Sequence, residues 1–443
     1  MRQDGAVTRV VVLGGGPGGY EAALVGAQLG AEVTVIEREG IGGACVLDDC
    51  VPSKTLIAAA ELPPAPLTET NARIKALAGA QSSDVEARLA SEGVKVVRGS
   101  GRLAGPRRVV VDGDEYDADV VLLATGATPR VLPGSEPDGE RILSWRQVYD
   151  LPELPSKLVV VGSGVTGAEF AGAYLGLGCD VTLVSSRDRV LPGEDADAAA
   201  VLEDVFRRRG MTVVSRARAA GVTRTAEGIA VALEDGRVIE GSHCLVCVGS
   251  VPNTSGIGLE EAGVVLAPNG FITVDRVSRT SVSGIYAAGD CTGVLMLASV
   301  AAMQGRIAMW HALGEAVAPL RLSTVSSNVF TDPEIATVGV TQGQVESGAV
   351  QAEVRKLPLA TNARAKMQGI TDGFVKLFCR PGSGTVLGGV VVAPRASELI
   401  LPITMAVQNA LTVDQLAQTF TIYPSLSGSI TEAARQLRQH QAT

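Results

Sequence analysis

The amino-acid sequence predicts an α/β protein with two dinucleotide-binding units and a third, C-terminal domain. The first observation is length, because 443 residues exceed one ordinary core and suggest about three domains. The second is composition, because 52 glycines with only 3% aromatic residues suit the many tight strand-to-helix turns of an α/β fold. The third is that an apolar strand followed by spaced glycines and a helix occurs twice.

The first such pattern begins with a strand predicted over Thr8–Leu13, and a helix is predicted over Pro17–Leu29. The next predicted strand, Glu32–Ile36, ends in the acid Glu37. Glycines at this spacing let the backbone approach a pyrophosphate at the helix N-terminus, and a terminal acid can bind a ribose hydroxyl. The alternative, an ordinary glycine-rich turn, does not explain the acid. The candidate cofactor-binding residues of this unit are Gly14, Gly16, Pro17, Gly18, Gly19 and Glu37.

The second pattern follows a strand predicted over Leu158–Val161. Its next strand, Asp180–Val184, is followed by Ser185 and Arg187 instead of an acid. An acid there would repel a 2′-phosphate, whereas serine and arginine tolerate or attract one. We therefore expect NADPH, or both NADPH and NADH, at this unit; the alternative for Arg187 is a solvated surface charge. The candidate residues are Gly162, Gly164, Gly167, Ser185 and Arg187.

Two cysteines, Cys45 and Cys50, follow the first unit. Pro52 suits a first helical turn, which places Cys50 at a helix N-terminus, where the helix dipole favours thiolate over thiol. Asp48 and Asp49 lie between the cysteines, and their charge should disfavour a nearby thiolate unless both point to solvent. The chain's seven cysteines do not resemble a secreted disulfide framework, so this pair is expected to be catalytic or metal-binding.

A second cysteine pair, Cys244 and Cys247, is expected to be structural. It lies in an apolar run, Cys244–Val248, that is predicted to be a strand. Residues three apart on a strand face opposite sides, so the two sulfurs would diverge. The chain has three histidines, and a histidine-rich metal site is therefore not expected either.

The stretch Gly42–Lys54 resembles the redox loop of the flavoprotein disulfide reductases, the family of lipoamide dehydrogenase, glutathione reductase and mercuric reductase. The resemblance implies that Cys45 and Cys50 are catalytic and form a disulfide over FAD, and that Lys54 lies near flavin N5. Glu169, in the second unit, matches the glutamate that relatives place against this lysine. We therefore predict a Lys54–Glu169 ion pair, whose lysine favours electron density on the reduced flavin. The alternative for Glu169 is a surface residue that the helix dipole favours.

Two further segments resemble signatures of this family. Ala124–Arg130 is similar to the segment at which the chain crosses between its cofactor domains. Gly284–Asp290 is similar to the segment whose aspartate binds the ribityl and pyrophosphate region of FAD. Because Asp290 follows the second glycine unit, the FAD domain is expected to be discontinuous. The further candidate FAD-binding residues are Gly43, Lys54, Thr125, Gly126 and Asp290.

The resemblance covers nearly the whole chain and implies three domains. The FAD-binding domain is predicted over residues 1–145 and 275–324, and the NAD(P)-binding domain over residues 146–274. An α+β dimerisation domain is predicted over residues 325–443. It begins with Val325–Ala336, which is similar to the start of the family's interface domain, so a homodimer is implied.

One departure from the family decides the expected reaction. In disulfide-reducing members the interface domain ends in a His-Pro motif with a glutamate four residues after the proline. That histidine reaches into the partner's site as general acid and base, because its pKa suits proton transfer near neutral pH. Here Tyr423 precedes Pro424, and Gly428 stands at the glutamate position. An unperturbed tyrosine titrates at about pH 10, and glycine cannot orient a base.

Without the histidine and glutamate, the chain is expected to belong to the NAD(P)H:quinone reductase branch. Reduced flavin can pass electrons to a quinone without a thiol base. Tyr423 is then predicted to be a catalytic residue of the acceptor pocket, and the second subunit would supply it. Three alternatives stay open: a lipoamide dehydrogenase-like disulfide reductase that uses Cys45 and Cys50, a soluble pyridine nucleotide transhydrogenase, and a non-catalytic flavoprotein. Retention of both cysteines favours the disulfide reductase and disfavours the transhydrogenase.

Charge and hydropathy argue against other classes. A net charge of −9 with no basic run makes nucleic acid an unfavourable partner. No uncharged apolar run is long enough to span a bilayer, so membrane insertion is not expected. The start, Met1–Gly5, lacks a signal-peptide pattern. We therefore expect a cytoplasmic protein.

Outside the motifs, apolar periodicity predicts separate helices over Asn71–Gly79 and Gln81–Leu89 and a single helix over Ser397–Ala410. The proline-rich run Leu62–Leu67 must interrupt any helix before them. This excursion is short compared with the family. Either its helices are truncated here, or a loop is absent from the numbered chain.

Overall fold

The structure, a computed structural model, describes residues 7–63 and 65–441. The segment Met1–Gly5, which entered the prediction of the compartment, lies outside the described residues. Across the described ranges, no helix combines the length and the apolar character needed to cross a membrane.

The strands are numbered in chain order. They are β1 (Arg9–Leu13), β2 (Glu32–Glu37), β3 (Lys95–Arg98), β4 (Gly101–Leu103), β5 (Arg108–Val111), β6 (Asp114–Asp117), β7 (Val120–Leu123), β8 (Ala127–Pro129), β9 (Ile142–Leu143), β10 (Lys157–Val161), β11 (Asp180–Val184), β12 (Thr212–Val214), β13 (Ala219–Arg224), β14 (Ile229–Leu233), β15 (Val238–Gly241), β16 (His243–Val246), β17 (Ser250–Pro252), β18 (Ile285–Ala287), β19 (Ser326–Val329), β20 (Glu334–Gly339), β21 (Glu353–Pro358), β22 (Phe374–Cys379) and β23 (Val386–Ala393).

The α-helices are numbered in the same way. They are α1 (Pro17–Gln28), α2 (Gly43–Leu47), α3 (Cys50–Ala60), α4 (Leu67–Ser91), α5 (Val165–Gly176), α6 (Ala196–Arg208), α7 (Ala298–Ala312), α8 (Gln342–Glu346), α9 (Ala363–Met367), α10 (Ala396–Leu399), α11 (Leu401–Gln408), α12 (Val413–Gln418) and α13 (Gly428–Gln441).

The first sheet is parallel, with strand order β18-β7-β1-β2-β3. The side chains of β1 alternate between two cores. Val10 and Val12 pack with α1, whereas Val11 and Leu13 pack on the opposite face with the antiparallel sheet β4-β5-β6. Because both faces are covered, the strand is apolar throughout. Strand β18 comes from far downstream, so residues on both sides of the second glycine unit build this sheet.

The second sheet repeats this arrangement, with parallel strand order β12-β11-β10-β16-β9. Helices α5 and α6 pack on one face, and the antiparallel sheet β13-β14-β15 covers the other. Glycine pattern, helix and second strand therefore occupy equivalent places in two sheets. The predicted α/β class with two such units is confirmed, and the predicted domain boundaries stay predictions.

The third sheet is antiparallel, with strand order β19-β20-β23-β22-β21. One face packs against α10 to α13 in a core of its own. The other face contributes Val329, Ile335 and Phe374 to the core that also holds α5 and α6. This packing brings the start of the C-terminal domain beside the second glycine unit, which matters for the site below.

Two helix predictions are wrong in detail. The residues predicted as helices Asn71–Gly79 and Gln81–Leu89 form the single helix α4, because no proline separates them and buried residues recur along its length. The predicted helix Ser397–Ala410 is divided between α10 and α11. Pro402 stands in the first turn of α11 and has no N–H to donate to the preceding turn, so a new helix begins there.

Candidate active site

A cavity of about 560 Å³ lies where β1, β2 and β7 end. Pockets of this size hold cofactor-sized ligands, and the carboxyl ends of parallel strands are where open α/β sheets bind them. Many of the predicted FAD-binding and redox residues line it together. They are Gly14, Gly16, Pro17, Gly18, Glu37, Gly43, Cys45, Cys50, Thr125, Gly126 and Asp290.

The glycines of the first unit divide into two kinds. Gly14 and Gly19 are needed by the protein itself, because an added Cβ would lie 2.2 Å from the Ala124 oxygen and 1.9 Å from the Gly14 oxygen, respectively. Gly16 is different, since its nearest neighbour would be the Gly42 oxygen at 4.0 Å. Gly16 faces space that the protein leaves open at the N-terminus of α1, which is the place for a pyrophosphate.

Three polar groups around the cavity fit a bound dinucleotide. The Glu37 carboxylate accepts N–H bonds from Gly15 at 2.6 Å and Glu39 at 2.6 Å, which fixes it at the end of β2. The Thr125 hydroxyl is buried without a hydrogen-bond partner among the described residues. Burial raises the pKa of Asp290 to about 6. Asp290 begins a short 3₁₀ turn, and the next helix, α7, begins at Ala298.

Cys45 and Cys50 are free thiols in direct contact with each other. Cys50 is the first residue of α3, as predicted. The surroundings of Cys50 act against the expected preference for thiolate there, which stays a prediction. The hydrogen bond between the two thiols lowers the pKa of Cys45, and the same bond together with burial raises the pKa of Cys50.

The predicted ion pair between Lys54 and Glu169 is present, with Nζ and Oε2 2.8 Å apart. The other oxygen of Glu169 accepts the Phe330 N–H at 2.8 Å, and Lys54 Nζ lies 5.0 Å from the Phe330 ring centre. Burial alone lowers the pKa of Lys54, but the Glu169 carboxylate raises it above its usual value. Residues from three distant parts of the chain thus surround one ammonium group and favour its charged form, although neither Lys54 nor Glu169 is among the residues lining the cavity.

The second glycine unit has the same backbone geometry as the first. A Cβ at Gly162 would lie 2.1 Å from the Cys247 oxygen, and one at Gly167 would lie 1.9 Å from the Gly162 oxygen, whereas Gly164 has nothing within 4 Å. Ser185 is fully buried after β11, and Arg187 is exposed. None of these five residues lines the cavity described above. The second unit still reaches the cavity, because Thr166 of α5 is one of its lining residues.

Two sequence predictions involve residues that do not line this cavity. Tyr423 has 85% of its surface exposed and does not line it, so its assignment to a partner's site stays a prediction. Cys244 is fully buried in β16, whereas Cys247 follows the end of that strand and is only partly buried. The described residues contain no group of histidine, cysteine or acidic side chains that could hold a metal ion.

Sequence reasoning missed Phe330 and Arg146. Phe330 follows β19, and no local pattern marks its contact with Glu169. Arg146 lines the cavity and lies 3.4 Å from Asp48 and 3.6 Å from Glu39. An arginine directly after a predicted domain boundary carries no signal of such a role. The acidic residues Asp48 and Asp49, which lie between the two cysteines, were the one sequence signal that favoured a nearby cation.

The chain belongs to the pyridine nucleotide-disulphide oxidoreductase family, whose description matches residues 8–305. Residues 325–434 match the dimerisation domain of the same family. Members of the family use FAD and NAD(P)H. The cavity residues fit FAD, because an open glycine, a fixed carboxylate and an unpartnered threonine hydroxyl occur along one continuous lining.

Several characterised proteins are similar along nearly their whole length. The chain is 59% identical to "NAD(P)H dehydrogenase (quinone)" of Mycobacterium tuberculosis, covering 98% of this chain and 94% of the relative. It is 34% identical to a dihydrolipoyl dehydrogenase of Zymomonas mobilis, covering 96% of each. The crystal structure of LpdA from Mycobacterium tuberculosis superposes with a TM-score of 0.94 at 59% identity, over 97% of this chain and all of that one.

Proposed function

We propose that the protein is an NAD(P)H:quinone oxidoreductase that uses FAD as its electron carrier. The observation that carries the proposal is that the chain has Tyr423 and Gly428 where a disulfide reductase of this family needs its histidine and glutamate. Similarity to a relative named for quinone reduction supports it. Bound FAD would accept a hydride from NAD(P)H and pass the electrons on.

The residues of this chain have separable tasks in the proposal. Glu37, Thr125 and Asp290 would hold FAD along the cavity. Lys54, kept charged by Glu169, would favour the negative charge that accompanies flavin reduction. The second glycine unit would bind the nicotinamide cofactor, with Ser185 and Arg187 accommodating the 2′-phosphate of NADPH.

We further propose that the working form is a homodimer in the cytoplasm. The segment before Pro424 exposes Phe420, Ile422 and Tyr423 by 103%, 81% and 85%. Contiguous exposed apolar side chains mark interaction surfaces. Seven free cysteines are compatible with a reducing compartment. Phe420→Asp is expected to shift the sedimentation coefficient from dimer towards monomer, and an unchanged dimer would exclude this surface.

The decisive measurement is steady-state NADPH oxidation by the FAD-loaded protein, with a benzoquinone and lipoamide tested in parallel. The proposal expects quinone turnover with negligible lipoamide turnover. Fast lipoamide turnover would overturn the argument from Tyr423 and Gly428.

The disulfide-reductase alternative deserves its own test, because Cys45 and Cys50 are in contact and relatives that are 34% identical are named dihydrolipoyl dehydrogenases. Cys50→Ser is expected to leave quinone reduction largely intact and to abolish any lipoamide reduction. Cys244→Ser is the matched control, since Cys244 is buried away from the cavity. Collapse of quinone turnover in Cys50→Ser with FAD still bound would mean that electrons reach the quinone through the cysteines.

A further inference from the structure

Arg146 is the less exposed of two arginines among the described residues that line the cavity, the other being Arg38. Arg38 extends into solvent, with 62% of its side chain exposed, and it already donates to Glu39 at 2.8 Å. Only 27% of the Arg146 side chain is exposed. Its guanidinium carbon lies 5.5 Å from the ring centre of the buried Trp145. The protein therefore holds this guanidinium at the cavity instead of releasing it into solvent.

The Arg146 guanidinium has donors that the protein leaves unused. Its Nε is buried and has no hydrogen-bond partner among the described residues. Its two terminal nitrogens lie 3.6 Å from Glu39 Oε2 and 3.4 Å from Asp48 Oδ2. Both distances exceed the about 2.7–2.9 Å of a charge-assisted hydrogen bond, so these contacts are ion pairs without a short hydrogen bond. Because a buried N–H without an acceptor is unfavourable, a ligand in the cavity that offers an oxygen would satisfy it.

The charge of the cavity lining also favours a role for Arg146. Besides the two arginines, the lining contains four acidic residues, which are Glu37, Glu39, Asp49 and Asp290. FAD adds the negative charges of its pyrophosphate to this acidic lining. Lys54 is paired with Glu169 and is not part of the lining, so it does not offset them there. A partly buried arginine suits the task, because its planar guanidinium is always charged and matches the oxygens of a phosphate.

The ion pairs of Arg146 place it between the two ends of the expected FAD position. Glu39 stands two residues after Glu37, the acid predicted to bind a ribose hydroxyl. Asp48 lies between the two cysteines that are predicted to lie over the flavin. The part of FAD that connects its adenosine ribose to the flavin side is the pyrophosphate. A cation paired with both Glu39 and Asp48 is therefore close to the middle of the cofactor.

We propose that Arg146 is an FAD-positioning residue whose Nε–H donates to an oxygen of the FAD pyrophosphate and whose charge offsets that of the pyrophosphate. Glu39 and Asp48 hold the guanidinium in place for this contact. The inference rests on FAD binding in this cavity, which is part of the proposed function, and not on the identity of the electron acceptor. It is therefore tested without any acceptor, so that its failure and the failure of quinone reduction are distinguishable.

The test uses Arg146→Lys and Arg146→Ala in the full-length, FAD-loaded protein. The first measurement is the rate at which FAD leaves the diluted holoenzyme, followed as flavin absorbance in the filtrate. Lysine keeps the positive charge but has no Nε–H, so both variants are expected to release FAD about tenfold faster than the wild type. Release from Arg146→Lys at the wild-type rate would overturn the proposal, because the charge alone would then be sufficient.

The second measurement is the phosphorus NMR spectrum of the bound FAD, which reports on the pyrophosphate directly. The pyrophosphate resonances are expected to move in Arg146→Lys, because their hydrogen-bond donor is lost. Asp48→Asn is expected to leave them in place, since it removes an ion pair of Arg146 but not the Nε–H. Unchanged pyrophosphate resonances in Arg146→Lys would contradict the proposed contact.

Two controls separate FAD binding from a structural role of Arg146. Asp48→Asn is expected to change the rate of FAD release by no more than about twofold, because partly exposed ion pairs contribute little. Release as fast as in Arg146→Ala would mean that the ion pair, and not the Nε–H, retains FAD. Arg98→Lys is the matched control, since Arg98 donates to the Glu39 oxygen at 3.3 Å but does not line the cavity, and it is expected to change neither measurement. If Arg146→Ala does not fold, Arg146→Lys decides by itself.

Discussion

The two glycine units are built alike at the backbone and differ at one position. In the first, the Gly14 N–H donates to the Ile36 oxygen at 2.8 Å, and in the second, the Gly162 N–H donates to the Val184 oxygen at 3.0 Å. The next residue of each strand therefore occupies the same place. That residue is Glu37 in one unit and Ser185 in the other.

The two residues do different work in that place. The Glu37 carboxylate binds backbone N–H groups and lines the cavity. The Ser185 hydroxyl accepts from the Ser163 hydroxyl at 2.7 Å and donates to the Arg189 oxygen at 3.0 Å. A fixed negative charge in one unit is thus replaced by a neutral, self-contained hydrogen-bond chain in the other. We therefore propose that the shared backbone geometry forms a dinucleotide site in each unit and that this position selects the dinucleotide.

The largest expected effect comes from the glycines that touch the protein. Gly14→Ala and Gly162→Ala each place a methyl about 2 Å from a carbonyl oxygen, at backbone φ angles of +105° and +110°. Strain on the order of 1–3 kcal/mol or more should lower both unfolding midpoints. Absorbance should show that Gly14→Ala loses its flavin and that Gly162→Ala keeps it but is no longer reduced by NADPH. Equal flavin loss in both variants would show that the two glycine units do not bind separate cofactors.

Gly16→Ala and Gly164→Ala are the sharper pair, because the protein has room for both methyl groups. Their φ angles of −71° are open to alanine, so the fold should persist. Any loss of flavin or of NADPH activity would then mean that the added methyl group contacts the bound cofactor. We expect Gly16→Ala to lower flavin occupancy, and Gly164→Ala to lower kcat/KM for NADPH by about tenfold, which corresponds to about 1.4 kcal/mol. Gly79 lies in the middle of a helix with open space around it, so Gly79→Ala is the control. It should change neither flavin occupancy nor kcat/KM for NADPH.

Ser185→Asp would give the second unit the charge that the first one has. A carboxylate there should repel the 2′-phosphate and lower kcat/KM for NADPH by about tenfold relative to NADH. Ser185→Ala removes the same hydrogen bonds without adding charge, and it should affect both nucleotides alike. If Ser185→Asp changed both equally, this position would not select the cofactor.

Arg187→Ala should have the smallest effect, because the side chain is exposed and exposed charge pairs contribute about 1 kcal/mol or less. We expect kcat/KM for NADPH to fall by about fivefold, with little change for NADH. Arg237→Ala is the matched control, an exposed arginine of the same region that pairs with Asp235 at 2.7 Å. Equal effects on both nucleotides would remove Arg187 from the phosphate site.

Much of the site was predictable because it follows from local chemistry. The glycine spacing requires close backbone approaches at Gly14 and Gly162, and the structure contains both. The Lys54–Glu169 contact was also predicted, but only through family resemblance, since the two residues lie 115 positions apart. The thiolate preference of Cys50 stays a prediction, because the local sequence does not show the neighbouring thiol and the burial that raise the pKa of Cys50.

The sequence by itself determined the strand and glycine patterns, and with them the two dinucleotide units, because strand period and glycine conformation are properties of a few adjacent residues. Tertiary structure alone decided which distant groups share the cavity. Arg146 lines the cavity with Asp49, Cys45 and Cys50 and lies 3.4 Å from Asp48. Outside that lining, the Phe330 N–H donates to Glu169 across 161 positions of the chain. Such pairings depend on how sheets and helices pack over long chain separations, and no local pattern encodes that distance.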